Sequence, residues 1–481
     1  MSPATIPAST DDTGRIREPL ARKAQRLYYG PPQDVEDRET LRLIGRVDGA
    51  HLVMLSERKI IPRGKAALLL EAVSEAEADG FAMVLSRPRP RGLYLAYEQA
   101  LSEVCGPDVG GLLHTGRSRN DLNATTTLLS LRGLGLNVVA EGCRLLTALL
   151  CSAARDLDAV MAIHTHYQPA MPITYGYYLT GVALALHREL DRVLYSLRSM
   201  RRCPLGAHAI AGTDLELDTA RTAALLGFEA GPLHAIDAIA SRDVALDLLG
   251  AAVNVVVTVS RLGTDLQMWS ASELAYLEFP DWLVGSSSAM PQKRNAFLLE
   301  YLKARPSQVV GSWVTAVTAT RSAPFTNSIE AGTEAMAPVG PALRTARDVL
   351  ALATLVVAGA RPRPEVAGAA AARGFVDATA MANELVRRGV PFREAHRRIG
   401  VAVLRAIDGH GAWPPEDLER IDLRTATDCA RYGGGPGSRA ESLAAAWQLR
   451  HQLRRELDRQ QHAIRQAAGR LQRAIEATCH E

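Results

Sequence analysis

The sequence predicts an all-α chain. Along most of its 481 residues the apolar positions recur at helical spacing, and alternation of the kind that marks a strand is prominent nowhere. The most polar segments sit where one helical run gives way to the next, which suits loops that feed helix ends.

Taken in order, residues 1–33 lack the apolar core of a secretory signal and read as a disordered lead. Leu41, Ile44 and Val47, then Leu52 and Leu55, mark a helix, and Pro62 opens another that runs to Ala78. These begin an N-terminal helical domain over 34–113. Ser86–Gly92, SRPRPRG, is a Pro/Arg-rich connector. Leu93–Val104 is helical and Gly106-Pro107 ends it.

A central helix-bundle domain is expected over 114–360. Its first helix is Leu122–Leu131, and a second runs from after Gly135 to about Asp158 with Val138, Leu145, Leu146, Leu149 and Leu150 on its apolar face. Thr174 to about Met200 and Leu215–Phe228 follow, and Ser241–Gly263 is apolar nearly all round. Such a helix needs cover on every side, which points to a bundle shared between subunits. Helical periodicity resumes over Ala296–Ala319, breaks across an irregular Arg321–Pro341, and returns for Pro341–Ala360. A small C-terminal helical domain fits 361–450, with short helices around Gly389-Val390-Pro391. An extra helix with heptad-like spacing fits 451–481.

Composition excludes several classes. A net charge of +3 without aromatic-basic interleaving gives nucleic acid no foothold. Val244–Val259 is interrupted by Asp247 and Asn254, and Val349–Ala360 is short, so no membrane span is expected. Six scattered cysteines without a CxxC pair read as reduced thiols in a cytoplasmic protein, with no metal site and no cofactor.

Three segments carry chemistry. HTGRSRND (114–121) gathers guanidinium, amide and hydroxyl donors at the mouth of a helix, a natural carboxylate cradle. IHTHYQPA (163–170) sets His166 between Thr165 and Gln168. Its two histidines lie too close for the i,i+4 metal pattern, and proton transfer near neutral pH suits them better. GSSSAMPQKRN (285–295) is a Ser-rich loop followed, after Pro291, by a segment that looks helical through Lys293, Asn295 and Glu300. Its backbone N–H groups and lysine can hold negative charge beside a serine.

Together HTGRSRND, THYQPAMPIT (165–174) and GSSSAMPQKRNA (285–296) resemble the argininosuccinate lyase branch of the fumarase/aspartase superfamily. PLGAHAIAGT (204–213) and GVPFREAHRRIG (389–400) also look like that branch. The resemblance implies a three-part fold in which four chains pack a twenty-helix core, a homotetramer whose sites each take their segments from three subunits. It implies a small dicarboxylate-type substrate and β-elimination from a substituted succinate, releasing fumarate. By the match of motifs, Ser287 is the proton-abstracting base, His166 acts in proton transfer to the leaving group, and Glu300 orients that histidine. Lys293 and Asn295 hold the substrate carboxylate, with Lys293 also placed to stabilise the Ser287 alkoxide. Thr115, Ser118, Arg119, Asn120, Thr165, Gln168 and Ser288 complete the substrate cradle. Ser286 stands where the family usually has Gly.

Departures from the family pattern bear on the substrate. Tyr94 and Tyr97 replace a His and an Asn upstream of the first motif, while Glu98 is retained. The family's Tyr, Gln and Lys contacts are missing from PFTNSIEAGTEAMAP (324–338), which offers Asn327, Glu330 and Glu334. The expectation is C–N cleavage of an aspartate-type conjugate with an amine other than arginine. Argininosuccinate cleavage is the alternative, and a catalytically silent, crystallin-like structural role is another.

Overall fold

In the computed structural model, which describes residues 34–89 and 92–480, the stripe from Leu41 to Leu55 forms helix α1 (Asp34–Glu57), and α2 (Arg63–Ala78) follows with Pro62 at its N-cap. The expected disordered lead, 1–33, lies outside the described residues. Helix α3 (Leu93–Cys105) closes this unit around Leu52, Leu69, Phe81, Tyr97 and Leu101, all fully buried or nearly so.

Helix α4 (Arg119–Arg155) is one uninterrupted element, where the sequence reading breaks it near Gly135. The glycines serve packing. A Cβ on Gly135 would lie 2.7 Å from Leu197 Cδ2, and one on Gly142 would lie 2.4 Å from Leu190 Cδ2. Both contacts are with α5 (Tyr175–Ser199), which runs antiparallel to α4. Close approach here outweighs the roughly 1 kcal/mol helix cost of each Gly.

Between them lies a hairpin that the sequence reading misses. Strands β1 (Val160–Thr165) and β2 (Gln168–Thr174) pair antiparallel, with a register irregularity at Ile163/His164. Consecutive Met161 and Ala162 are both buried, so β1 shows no clean alternation. Pro169 and Pro172 in β2 are tolerated because both strands of a two-stranded sheet are edges.

After α6 (Thr219–Leu226), helix α7 (Asp243–Ser270) runs parallel to α4, with Leu248 packed by Gly135 and Trp269 edge-on to Tyr175 and Tyr178. Strand β3 (Leu277–Glu278) follows. Helices α8 (Leu298–Ala304) and α9 (Pro306–Arg321) return antiparallel, Leu302 against Gly263 and Trp313 against Gly250. The missing N–H of Pro306 separates them. Helix α10 (Val339–Gly359) runs parallel to α4, its ends placed by Gly340 near Leu134 and by Ser152 Oγ donating to Val357 O at 3.3 Å. Six helices, α8 and α9 following one another along one path, thus enclose one apolar core that includes Leu146, Leu149, Val256, Leu266 and Leu350. Truncating any of these leucines to Ala would cost about 2–5 kcal/mol.

Two of these helices, α4 and α7, are long and apolar enough to cross a bilayer by length and composition, whereas the sequence reading finds none. That reading splits α4 at Gly135 and discounts α7 for Asp247 and Asn254. In the fold both are core helices of the bundle. On the bundle's outside Val257, Val314 and Leu355 stay exposed.

Strand β4 (Arg361–Pro362) pairs with β3. The short helices α11 (Pro364–Arg373), α12 (Ala378–Arg387), α13 (Phe392–Ile407) and α14 (Leu423–Cys429) follow, with Met381, Leu385, Ala395 and Ile399 as a small separate core. Helix α15 (Arg439–His480) passes through residue 450 without interruption. It lays Leu453 and Leu457 on the bundle and Leu471 on the N-terminal unit.

Candidate active site

The first polar segment is built on a buried charge. Arg117, 2 % exposed, lies with Nη2 2.6 Å from Asp48 Oδ1, and Asp48 is fully buried. Tyr97 donates to Asp48 Oδ2 at 2.8 Å, and Arg117 Nη2 donates to Tyr94 Oη at 3.2 Å. The two tyrosines that depart from the family pattern therefore complete this ion pair. His51 Nε2 sits 2.8 Å from Thr115 O and ties the turn to α1. Burial first, and then the Arg117 charge, push His51 down to about 3, so the ring is neutral.

Above this floor the chain turns into α4. Ser118 is its N-cap and forms a capping box with Asp121. The Asp121 carboxylate, fully buried, also accepts from Gly206 and His208 N–H at 3.0 and 2.9 Å, which holds PLGAHAIAGT against the segment. Asn120 donates to Ala209 O at 2.9 Å through Nδ2. Arg119 is exposed, and Thr115 and Ser118 are half-buried.

The second segment is the tip of the β1–β2 hairpin. His166 and Tyr167 are its two turn residues, with φ of 52° and 61°. Two successive positive φ values mark the type I′ hairpin turn, which favours Asn-Gly. Placing His and Tyr there costs on the order of 1–3 kcal/mol each. The turn places His166 at the tip, where Thr165, His166 and Gln168 are all exposed.

The third segment is a loop closed at its neck. Gly285 and Asn295 exchange both backbone hydrogen bonds at 2.8 Å. Arg294 straps the neck to Asp281 and, at 2.9 Å, to Phe279 O. This closure overrides the helix expected after Pro291, and α8 begins only at Leu298. Glu300 lies in its first turn, while Lys293 and Asn295 stay in the loop. Ser287 Oγ accepts from Met290 N at 3.1 Å and Ala289 N at 3.3 Å. Ser288, Lys293 and Glu300 are exposed, and Ser287 and Asn295 are half-buried.

One chain does not bring the three segments together. Segments two and three share the end of the bundle where α4 finishes, marked by His164 packed on Tyr276 and by Arg155 bonded to Ala360 O. Ser118–Asn120 lie at the opposite end of α4, whose 37 residues span about 55 Å at ~1.5 Å per residue. Among the described residues, no hydrogen bond joins one segment to another. The clefts of about 1200 Å³, between α5 and the C-terminal helices, and about 900 Å³, between α1, α4 and α15, contain none of the candidate residues.

Residues 65–311 match the family model described as lyase, and residues 375–432 match the argininosuccinate lyase C-terminal model. The argininosuccinate lyase of Halorhodospira halophila is 33% identical over 378 residues, covering 78% of this chain and 79% of its own. The chain belongs to the argininosuccinate lyase branch of the fumarase/aspartase superfamily. The argininosuccinate lyase of Thiobacillus denitrificans is 32% identical and spans 88% of this chain and 90% of its own. Among solved structures, EDDS lyase in complex with formate superposes with a TM-score of 0.84 at 26% identity, over 96% of both chains. A class II fumarase from Schistosoma mansoni shares the fold, with a TM-score of 0.64 at 16% identity over 79% of this chain and 92% of its own. The protein is accordingly a carbon–nitrogen lyase of the fumarate-releasing kind.

Within this branch, the support beneath HTGRSRND is what sequence reasoning misses. Asp48 and His51, three residues apart on the buried face of α1, are the available signal. Polar residues inside an apolar stripe are seldom buried without partners.

Proposed function

We propose that the protein cleaves the C–N bond of an N-substituted succinate whose amine is not arginine. The carrying observation is the segment between α9 and α10. It forms a π-helical turn, Glu330–Glu334, with both acids on the surface. The Glu330 carboxyl is held below its ordinary value by its own backbone N–H and by the Ser328 hydroxyl, so it stays charged. A carboxylate there repels a leaving group that carries a carboxylate of its own, as arginine does, and favours an amine without an anionic tail. The turn lies at the α4 N-terminal end of the bundle, where Gly332 approaches Arg242, the residue before α7. That is also the end that carries Ser118, Arg119 and Asn120.

In this reading each site takes HTGRSRND, the hairpin tip and the Ser287 loop from different copies in a homotetramer of the cytoplasm. The 55 Å separation within one chain and the exposure of the candidate residues support it. Ser287 removes the proton beside one carboxylate. Two amide N–H groups already aimed at its oxygen lower the cost of an alkoxide. Lys293, which has no carboxylate partner among the described residues, and Asn295 hold the substrate carboxylate as the carbanion becomes an aci-carboxylate. His166, oriented by Glu300, gives a proton to the departing nitrogen, and fumarate is left. Thr115, Ser118, Arg119, Asn120, Thr165, Gln168 and Ser288 line the cradle.

EDDS lyase, of which a double variant has been solved with bound fumarate, is the structural relative that supports an amine other than arginine. The relatives named argininosuccinate lyase favour the alternative. Fumarate release, followed by ultraviolet absorbance over a panel of N-succinyl amines, separates the two. Turnover of a non-arginine conjugate with argininosuccinate inert is expected. Preferential cleavage of argininosuccinate, or growth of an arginine auxotroph rescued by this chain, overturns the proposal.

A further inference from the structure

We propose that His114 binds the substrate as a neutral hydrogen-bond donor, offering Nε2–H to a succinyl carboxylate oxygen, and that Tyr94 is the positioning residue that fixes this tautomer. The inference rests on the elimination from a succinate proposed above.

The geometry assigns the protons. Tyr94, 8 % exposed, accepts at its oxygen from Arg117 Nη2, which has only protons to give. Its own hydroxyl proton is then directed to His114 Nδ1, 2.8 Å away. If Nδ1 carried a proton instead, the Tyr94 hydroxyl would receive two donors and its proton would be left buried without an acceptor, which is costly. The imidazole therefore holds its proton on Nε2. Asp48, Arg117, Tyr94 and His114 form a chain in which each member fixes the next, beginning at a fully buried carboxylate.

The ring is half-buried rather than sealed. The His114 side chain is 33 % exposed, and Arg119 and His208 are near enough to act on its charge. Burial, followed by the Arg117 and Arg119 guanidiniums, pushes it down to about 4, against Glu98 Oε1 at 3.8 Å from Nδ1. At neutral pH the ring donates without carrying charge. A carboxylate held by Arg119 can take this bond without a second acid competing with His166 for proton delivery.

Calorimetric binding of fumarate to the full-length assembly tests the inference without requiring turnover. A hydrogen bond to a charged group is worth about tenfold to a hundredfold in affinity. His114→Leu should weaken fumarate by roughly that factor, whereas His114→Gln, whose amide N–H reaches a similar point, should stay within about threefold of wild type, on the order of 0.6 kcal/mol. Tyr94→Phe should weaken binding in the wild-type background and have no further effect on His114→Gln, because Tyr94 acts through His114. Equal affinity for His114→Leu and wild type overturns the inference, as does equal loss in His114→Leu and His114→Gln. A Tyr94→Phe effect that persists undiminished on His114→Gln removes Tyr94 from the role. If wild type itself binds no fumarate, the proposed elimination fails instead.

Discussion

Mixing two inactive variants asks whether a site is shared between chains. Arg119→Leu damages the N-terminal end of α4, and Ser287→Ala damages the loop at the other end of the bundle. Because α4 is 37 residues long, about 55 Å separates these ends, so no single chain can supply both residues to one substrate. In assemblies formed at random from equal amounts of the two variants, a site draws an intact Arg119 half the time and an intact Ser287 half the time. Roughly a quarter of the sites are then whole, as closed symmetric assembly with independent draws requires. Co-expressed variants, purified through different tags on the two chains and assayed for fumarate release, should recover about a quarter of wild-type activity, while each variant alone stays near zero. Mixed assemblies that hold both chains yet remain as inactive as either variant would refute the shared site.

Further outcomes follow from the same contacts. Ser287→Ala should abolish turnover and leave fumarate affinity within about threefold, on the order of 0.6 kcal/mol; undiminished turnover would move the base to Ser288 or elsewhere. Asp48→Ala strands the buried Arg117 charge and should lower unfolding free energy by about 3–5 kcal/mol in denaturant titration; a loss under 1 kcal/mol, of the order of a surface pair, would mean that the pair is hydrated. His51 is neutral in the fold, with its pKa pushed down to about 3. The unfolded chain, titrating near 6.5, takes up the proton first as pH falls. Its contribution is therefore complete above about pH 6.5 and disappears as pH drops toward 3, by on the order of a few kcal/mol. His51→Gln should flatten that acid limb of the stability curve, and an unchanged limb would assign it to other groups. Gly142→Ala drives a methyl into Leu190 and should cost roughly 1–3 kcal/mol, measured against Gly133→Ala, whose Cβ meets nothing within 4 Å.

Helices with a clear apolar stripe were legible from sequence, α1 and α5 closely so, because periodicity reports local burial. Gly135 and Gly142 misled, since a glycine that breaks a lone helix is written the same way as one that admits Leu197 or Leu190. The hairpin escaped because Met161 and Ala162 are both covered, which erases alternation. Pro291 suggested a helix start, but the paired Gly285 and Asn295 backbones close the loop, a contact across ten residues that no local preference records. The candidate side chains stood out as polar types at helix boundaries. Their scaffold did not, because Asp48 and Arg117 are far apart in the chain and each alone reads as a surface charge.

Helix α15 has a mechanical consequence. Its 42 residues reach about 63 Å, from Arg439, anchored to Asp158 and Asp428, to Thr478, whose carbonyl accepts from Arg63 at 3.2 Å. It is a tie rod bolted to the base of the hairpin at one end and to the N-terminal helices at the other, riveted to the bundle in between by Leu453 and Leu457. A tilt of the N-terminal unit, and with it the floor beneath HTGRSRND, is thereby geared to the opposite end of the molecule. Two ends of the bundle are thus joined through one stiff member.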